Sequence, residues 1–263
     1  MKIGILGPKG TFSDVAFHKY KKDQQMEAFY YTTLEETTQS LSVLDKIIVP
    51  LENTLEGYVQ QILDFLIREK VYIEEELLVP VQFSLIKKDK SSDIKNIYVQ
   101  FAAKGQCQIF LQSLKDISLT LTSSNTQSLH LFNESDETHA AIIPTHLANK
   151  NCQNVTDIKE NYTRFIVLSK NKTSINNHAS KVSLVVVPTN DRPGLLYDIL
   201  YIFKSLNINL TSIMSRPQKD KMGKYHFFIE FNIENNIETQ ITKLINQAKE
   251  NFDIKILGIY PRV

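Results

Sequence analysis

Hydroxyls, amides, one arginine and one glutamate recur in short stretches of this sequence, each placed next to an apolar run. NYTRF (Asn161–Phe165) opens the run Phe165-Ile166-Val167-Leu168, so Asn161, Thr163 and Arg164 stand at the mouth of a buried strand. An arginine at that position needs a partner or a ligand. PLENTLEG (Pro50–Gly57) follows KIIV, which puts Glu52, Asn53 and Thr54 at a strand's carboxyl end. Asn53 and Thr54 can donate to oxygens, and Glu52 can serve as acid, base or electrostatic clamp. GPKGTFS (Gly7–Ser13) links the first strand to a helix: Gly7 and Gly10 permit close backbone approach, and Thr11 or Ser13 can cap. N–H groups at such a helix start suit a carboxylate or phosphate. The stretch is neither a dinucleotide fingerprint nor a P-loop, so no nucleotide is expected. Gln106 in KGQCQ and Ser124 in SSNTQS complete the set; their plainer readings are a surface glutamine and a helix cap. Together these groups would hold an anionic, oxygen-rich small molecule and donate to an atom that gains negative charge. No Ser/His/Asp or Cys/His arrangement presents itself and Cys107 has no evident base, so covalent catalysis is not supported.

The elements that must position these groups follow from the apolar pattern. KIGIL, KIIVP, KNIYV, ISLTLT and AAIIP alternate with helix-period segments such as TFSDVAFHKY and EGYVQQILDFLIREK. That alternation predicts an α/β architecture with a largely parallel sheet, whose ligands gather at strand carboxyl ends. KNKTSINNHASK (Lys170–Lys181) has almost nothing to bury and is expected to be a linker. Beyond it the order is βαββαβ, the ferredoxin-like arrangement, with its helices on one sheet face. The other face and an edge are then left for a partner.

Composition narrows the function classes. A formal net charge of +1 in 263 residues argues against a nucleic-acid binder. No apolar run approaches the roughly 20 residues of a membrane span, and the strand-like Lys2–Leu6 shows no charged and apolar regions of a leader, so none is expected there. Two cysteines, Cys107 and Cys152, build no disulfide framework, and the six histidines show no metal-ligand spacing. A cytosolic protein without cofactor or metal is expected.

In this order, GPKGTFS, PLENTLEG and NYTRFIVL followed by a βαββαβ module resemble bacterial prephenate dehydratases over almost the whole chain. The TRF triplet, with Asn161 two residues before it, is the most specific element. The tail resembles an ACT regulatory domain: RPGLLYDIL stands where that family has Pro-Gly-Ala-Leu-Val, and Met214-Ser215-Arg216-Pro217 where it has Glu-Ser-Arg-Pro. The resemblance implies a two-lobed catalytic domain like the type II periplasmic binding proteins, over 1–169. Lobe 1 would take about 1–78 and 159–169, and lobe 2 about 79–158. A linker (170–181) and an ACT domain (182–263) would follow. It further implies decarboxylation and dehydration of prephenate to phenylpyruvate in the cleft. Thr163, Glu52 and Asn53 would be catalytic, with Thr11, Ser13, Thr54, Gln106, Ser124, Asn161, Arg164 and Phe165 around the substrate. Arg164 is expected either to clamp a carboxylate or to brace the lobes. Phenylalanine control would run through Gly194, Leu195, Leu196, Asn209 and Met214–Pro217 at the interface of a homodimer or tetramer.

The sequence also departs from the family pattern. Val99-Gln100-Phe101-Ala102 stands where Ser-His-Pro-Gln is usual, which removes one donor, and Ser124-Asn125 replaces Ser-Thr. Met214 replaces a glutamate and Leu195 an alanine, changes expected to weaken or retune effector binding. Two alternatives stay open: dehydration of arogenate, and a non-catalytic amino-acid sensor.

Overall fold

The first two helices begin where a side chain can take up their unpaired amides. Thr11 accepts from Asp14 N ahead of α1 (Phe12–Lys21). Thr33 and Glu36 form a reciprocal capping box ahead of α2 (Leu34–Ser40). These helices alternate with β1 (Lys2–Leu6), β2 (Glu27–Tyr31) and β3 (Lys46–Asn53), and then come β4 (Gly57–Tyr58), α3 (Gln60–Arg68) and β5 (Tyr72–Pro80). A second group follows: β6 (Phe83–Lys87), β7 (Asn96–Gln100), α4 (Phe101–Gly105), α5 (Gln108–Ser113), β8 (Ser118–Thr122), α6 (Asn125–Glu134), β9 (His139–Pro144), a 3-10 turn (Thr145–Leu147) and β10 (Gln153–Asn154). The chain then returns as β11 (Tyr162–Ser169). The computed structural model describes residues 1–22, 24–89, 93–148, 152–172, 179–190, 192–218, 225–232, 236–249 and 251–261. Half of the predicted linker (173–178) and the turn at Lys221–Gly223 lie outside them.

The fold is α/β, but both sheets are mixed rather than largely parallel. In the first, ordered β2–β1–β3–β11–β5, the strands β1, β2 and β3 are parallel. The returning strand β11 wedges antiparallel between β3 and β5. In the second, ordered β10–β6–β9–β7–β8, only β7, β8 and β9 are parallel. Because β11 comes back from the second lobe, its first residues sit where the lobes meet.

The C-terminal module contains β12 (Ala179–Pro188), α7 (Leu195–Ser205), β13 (Leu210–Pro217), β14 (Tyr225–Asn232), α8 (Ile237–Ala248) and β15 (Phe252–Pro261). Its antiparallel sheet has the order β13–β14–β12–β15, the expected βαββαβ topology. One face packs under α7 and α8 through Val182, Leu184, Phe203, Phe231 and Leu244. The opposite face, expected to await a partner, is covered by the chain's own first lobe. Val185, Phe228, Leu257 and Tyr260 share one core cluster with Ile47, Leu51, Leu66, Ile73 and Ile166. The approach is close: a Cβ added to Gly258 would lie 2.3 Å from the Ile73 carbonyl oxygen. Lys255 Nζ, moreover, donates to the carbonyls of Leu66 (2.7 Å) and Ile67 (3.1 Å), which α3 leaves unpaired at its C-terminal end. Burial lowers the pKa of that lysine.

Candidate active site

Pairing of β11 with β3 sets Thr163 opposite Asn53 and Arg164 opposite Glu52. Successive residues of a strand point to opposite faces, so the two dipeptides each send one side chain to either side of the sheet. On one side lies a chain of amides and hydroxyls. Asn53 Nδ2 donates to Thr163 Oγ1 at 3.0 Å and to Asn161 Oδ1 at 3.1 Å. Asn161, fully buried, donates through Nδ2 to Gln106 Oε1 at 2.9 Å. Gln106 ends α4 in the second lobe, so the chain crosses from lobe to lobe. Its polarity runs outward from Asn53, which donates in both directions: Gln106 accepts through Oε1 and keeps its amide hydrogens, and Thr163 accepts and keeps its hydroxyl hydrogen. Both ends therefore present donors, the arrangement an anionic substrate needs. Asn53 Oδ1 also accepts from Leu55 N (3.0 Å) and Glu56 N (3.2 Å), which fixes the turn after β3.

The other side holds a buried ionic cluster. Arg164 donates to Glu52 (2.9 Å), Glu76 (3.2 Å), Tyr58 OH (3.1 Å) and, through two nitrogens, to Glu230 (2.6 and 2.9 Å). Glu230 lies on β14 of the C-terminal module and also accepts from Ser183 (2.7 Å) and Tyr58 (2.9 Å). Lys181 joins through Glu76 at 2.7 Å. Burial pushes the Glu230 carboxyl up, but the hydrogen bonds and charge of Arg164 outweigh it and hold it at about 2. Burial, followed by the Glu230 charge, drives the Tyr58 hydroxyl upward.

This geometry sorts the predicted residues. Asn53, Asn161, Thr163 and Gln106 come together. Thr54 stands beside them but spends its hydroxyl on Tyr162, donating to its carbonyl and accepting from its amide, both at 3.1 Å. Arg164 does not clamp a ligand, because protein carboxylates occupy its fork; the bracing role is the one the geometry fits. Glu52 goes with it, held on the face away from Thr163. Phe165 is buried in the core with Ile3, Ile5, Phe17 and Val167, not in a cleft. Thr11 and Ser124 cap helices, and Ser13 is buried in α1. The Gly7–Ser13 loop is satisfied internally as well. Gly10 N donates to Asp14 Oδ2 at 2.8 Å, so the loop's own carboxylate sits where an external anion was expected. Across the lobes, His146 Nε2 meets Gly10 O at 2.9 Å and its ring packs on Phe12. Val99 is fully buried in the second lobe's core, so a hydroxyl at that position would be enclosed by apolar side chains.

The effector set divides as well. Leu195 is buried in the module's own core, so its bulk fills no pocket, whereas Gly194 and Leu196 are exposed. Met214 packs against the first lobe. Arg216 is bound to that lobe too, donating to Asp64 (2.8 Å) and Gln60 (3.0 Å) of α3. Asn209 lines an open pocket of about 400 Å³ with Leu200, Phe203, Lys204 and Ile208. Sequence reasoning missed Tyr58, Glu76, Lys181 and Glu230. A signal existed for the last, an acid in the middle of the apolar FFIEFN.

Among the described residues no cluster of three or more His, Cys, Asp or Glu is placed to hold a metal, and no helix is long and apolar enough to cross a membrane. The family model for prephenate dehydratase matches residues 3–173, and that for the ACT domain matches 184–247. The chain belongs to the prephenate dehydratase family. A prephenate dehydratase of Methanocaldococcus jannaschii is 33% identical over 265 residues, covering 97% of this chain and 96% of that protein. The crystal structure of prephenate dehydratase from Staphylococcus aureus superposes with a TM-score of 0.86 at 28% identity, covering 99% of this chain and all (100%) of that one. The Arthrobacter aurescens enzyme, crystallised in complex with L-Phe, superposes at 0.81 with 27% identity, covering 100% of this chain and 90% of that one. The C-terminal module is thus an ACT domain, docked on the dehydratase domain through the Arg164 cluster.

Proposed function

We propose that this chain converts prephenate to phenylpyruvate, carbon dioxide and water at the donor chain of Thr163, Asn53, Asn161 and Gln106. The observation that carries the reading is the outward polarity of that chain from Asn53, which leaves donors at both ends for a dianion. In the reaction, the bond from the ring to its carboxylate breaks and its electron pair enters the ring. The C4–oxygen bond then breaks and the departing hydroxide takes up a proton to leave as water. Aromatisation supplies the driving force, so the protein's task is to hold two carboxylates and stabilise the leaving oxygen. Thr163 serves the leaving oxygen: its hydroxyl accepts from Asn53 and points its own hydrogen outward. A threonine hydroxyl is a weak acid, so it polarises or relays rather than giving up its proton outright. Gln106 offers its amide hydrogens to a carboxylate. Asn53 and Asn161 hold both ends in place, and Glu52 and Arg164 brace the strands from behind.

The same reading assigns the dehydratase to residues 1–169 and L-phenylalanine control to the ACT domain, in a cytosolic homodimer or dimer of dimers. Strands β12 and β13 run in the same direction, so Gly194–Leu196 and Met214–Pro217 lie at one end of the sheet and Asn209 at the other. About 16 Å of helix α7 separates them. A two-fold axis would bring one end against the partner's opposite end. Leu196, Tyr197, Leu200 and Tyr201, exposed along one face of α7, supply an apolar surface for that pairing. Turnover of prephenate and of arogenate, each with and without L-phenylalanine, tests the assignment. Prephenate is expected to be preferred and its turnover to respond to phenylalanine. Preference for arogenate, or no turnover of either, would refute it.

A further inference from the structure

The face of the catalytic strands turned away from the substrate is held by the ACT domain, and through one carboxylate above all. Glu230 is 1% exposed. It receives two guanidinium nitrogens of Arg164, the hydroxyls of Tyr58 and Ser183 and, at 3.2 Å, that of Tyr260. A bidentate, charge-assisted pair of this kind fixes a guanidinium plane as well as its position. Arg164 in turn holds Glu52, and these residues are the chain neighbours of Thr163 and Asn53. Tyr58 repeats the connection one strand away. From β4 it pairs with Glu52, its hydroxyl meets Ser212 Oγ at 2.8 Å, and it closes the turn whose other end Asn53 holds. Ser212 lies on β13 directly opposite Glu230, on the strand that continues into Met214–Pro217.

We propose that Glu230, although it belongs to the ACT domain, is a positioning residue for the dehydratase site, and that effector occupancy reaches turnover through its contact with Arg164. The proposal rests on the assignment of prephenate dehydration to Thr163 and its neighbours. It requires no movement of the substrate-facing residues beyond what one pair of strands transmits. A displacement of about 1 Å at a reacting group is enough to cost roughly a hundredfold in rate. Glu76 and Glu52 remain to neutralise Arg164 when Glu230 is changed, but neither presents two oxygens to its fork.

The test is E230Q in the full-length protein, read by steady-state kinetics with prephenate, by calorimetric titration of L-phenylalanine, and by hydrogen exchange of the peptide spanning Tyr162–Phe165. The expected result is a kcat lowered at least tenfold with KM within threefold of the unmodified protein, and faster exchange in that peptide. Phenylalanine should still bind but change turnover less than twofold, because coupling, not binding, is lost. E230D, which keeps the charge, should recover part of kcat. Unchanged kcat with an unchanged phenylalanine response in a folded E230Q would overturn the proposal. Should E230Q fail to fold, S212A, which removes Tyr58's hydroxyl partner without burying a lone charge, decides in the same way. A kcat lowered threefold or more supports the proposal, and an unaltered one overturns it. Failure of the underlying assignment would look different: the unmodified protein would not turn over prephenate, while the exchange measurement would still report whether Glu230 orders the strand.

Discussion

Gln106 accepts from Asn161 through Oε1, and its Nε2 donates to no other side chain among the described residues. Gln106→Glu keeps the acceptor and places a negative charge where the proposed function puts a substrate carboxylate. Two like charges about 4 Å apart repel by about 4 kcal/mol at an effective dielectric constant of 20. KM for prephenate should therefore rise at least about tenfold, a loss of about 1.4 kcal/mol, while the thermal midpoint stays in place. Steady-state kinetics checks this, and an unchanged KM would remove Gln106 from the substrate's surroundings. At this scale the sequence was legible wherever a residue type had a local task. Thr163 and Asn53 stood at strand mouths, and Ser124 carried its helix cap. Arg164 was not legible in the same way. A guanidinium among hydroxyls and amides fits a ligand or a buried acid equally well, and the acid that decides it lies 66 residues away. Phe165 was misplaced for a related reason. It shares the motif with Thr163, and the family resemblance gave it a ligand role that its core packing does not support.

Strands β5 and β15 pack directly against each other. They belong to different domains, and Gly258 admits no side chain against the backbone of Ile73. Gly258→Ala should push the ACT sheet away from the first lobe. Overpacking typically costs about 1–3 kcal/mol, so the thermal midpoint should fall by several degrees, with secondary structure retained in circular dichroism. A midpoint equal to that of the unmodified protein would mean that the two sheets tolerate separation. The alternation of strands and helices was readable because each segment keeps its own apolar period. The antiparallel return of β11 was not, since direction is set by the route of the chain through the second lobe. The Gly7–Ser13 loop shows a similar limit. Its exposed amides suit an anion, but Asp14, only four residues from Gly10, supplies one from within.

On the scale of the whole molecule, the ACT domain is docked by its open sheet face rather than tethered at a distance. Val185, Phe228 and Leu257 join the first lobe's core, while Arg216 and Lys255 grip the two ends of α3. The sequence made the βαββαβ module recognisable and its bare face predictable. It left open what covers that face, because an apolar sheet face carries no address. The docking gives the two strands β3 and β11 a double duty, with the proposed substrate site on one side and the ACT domain on the other. The account stands or falls on Thr163. Release of phenylpyruvate from prephenate by the purified protein, set beside Thr163→Ala, tests it most directly. Loss of one aimed donor should lower kcat by about a hundredfold to a thousandfold with the thermal midpoint unchanged; equal turnover by the two proteins would contradict it.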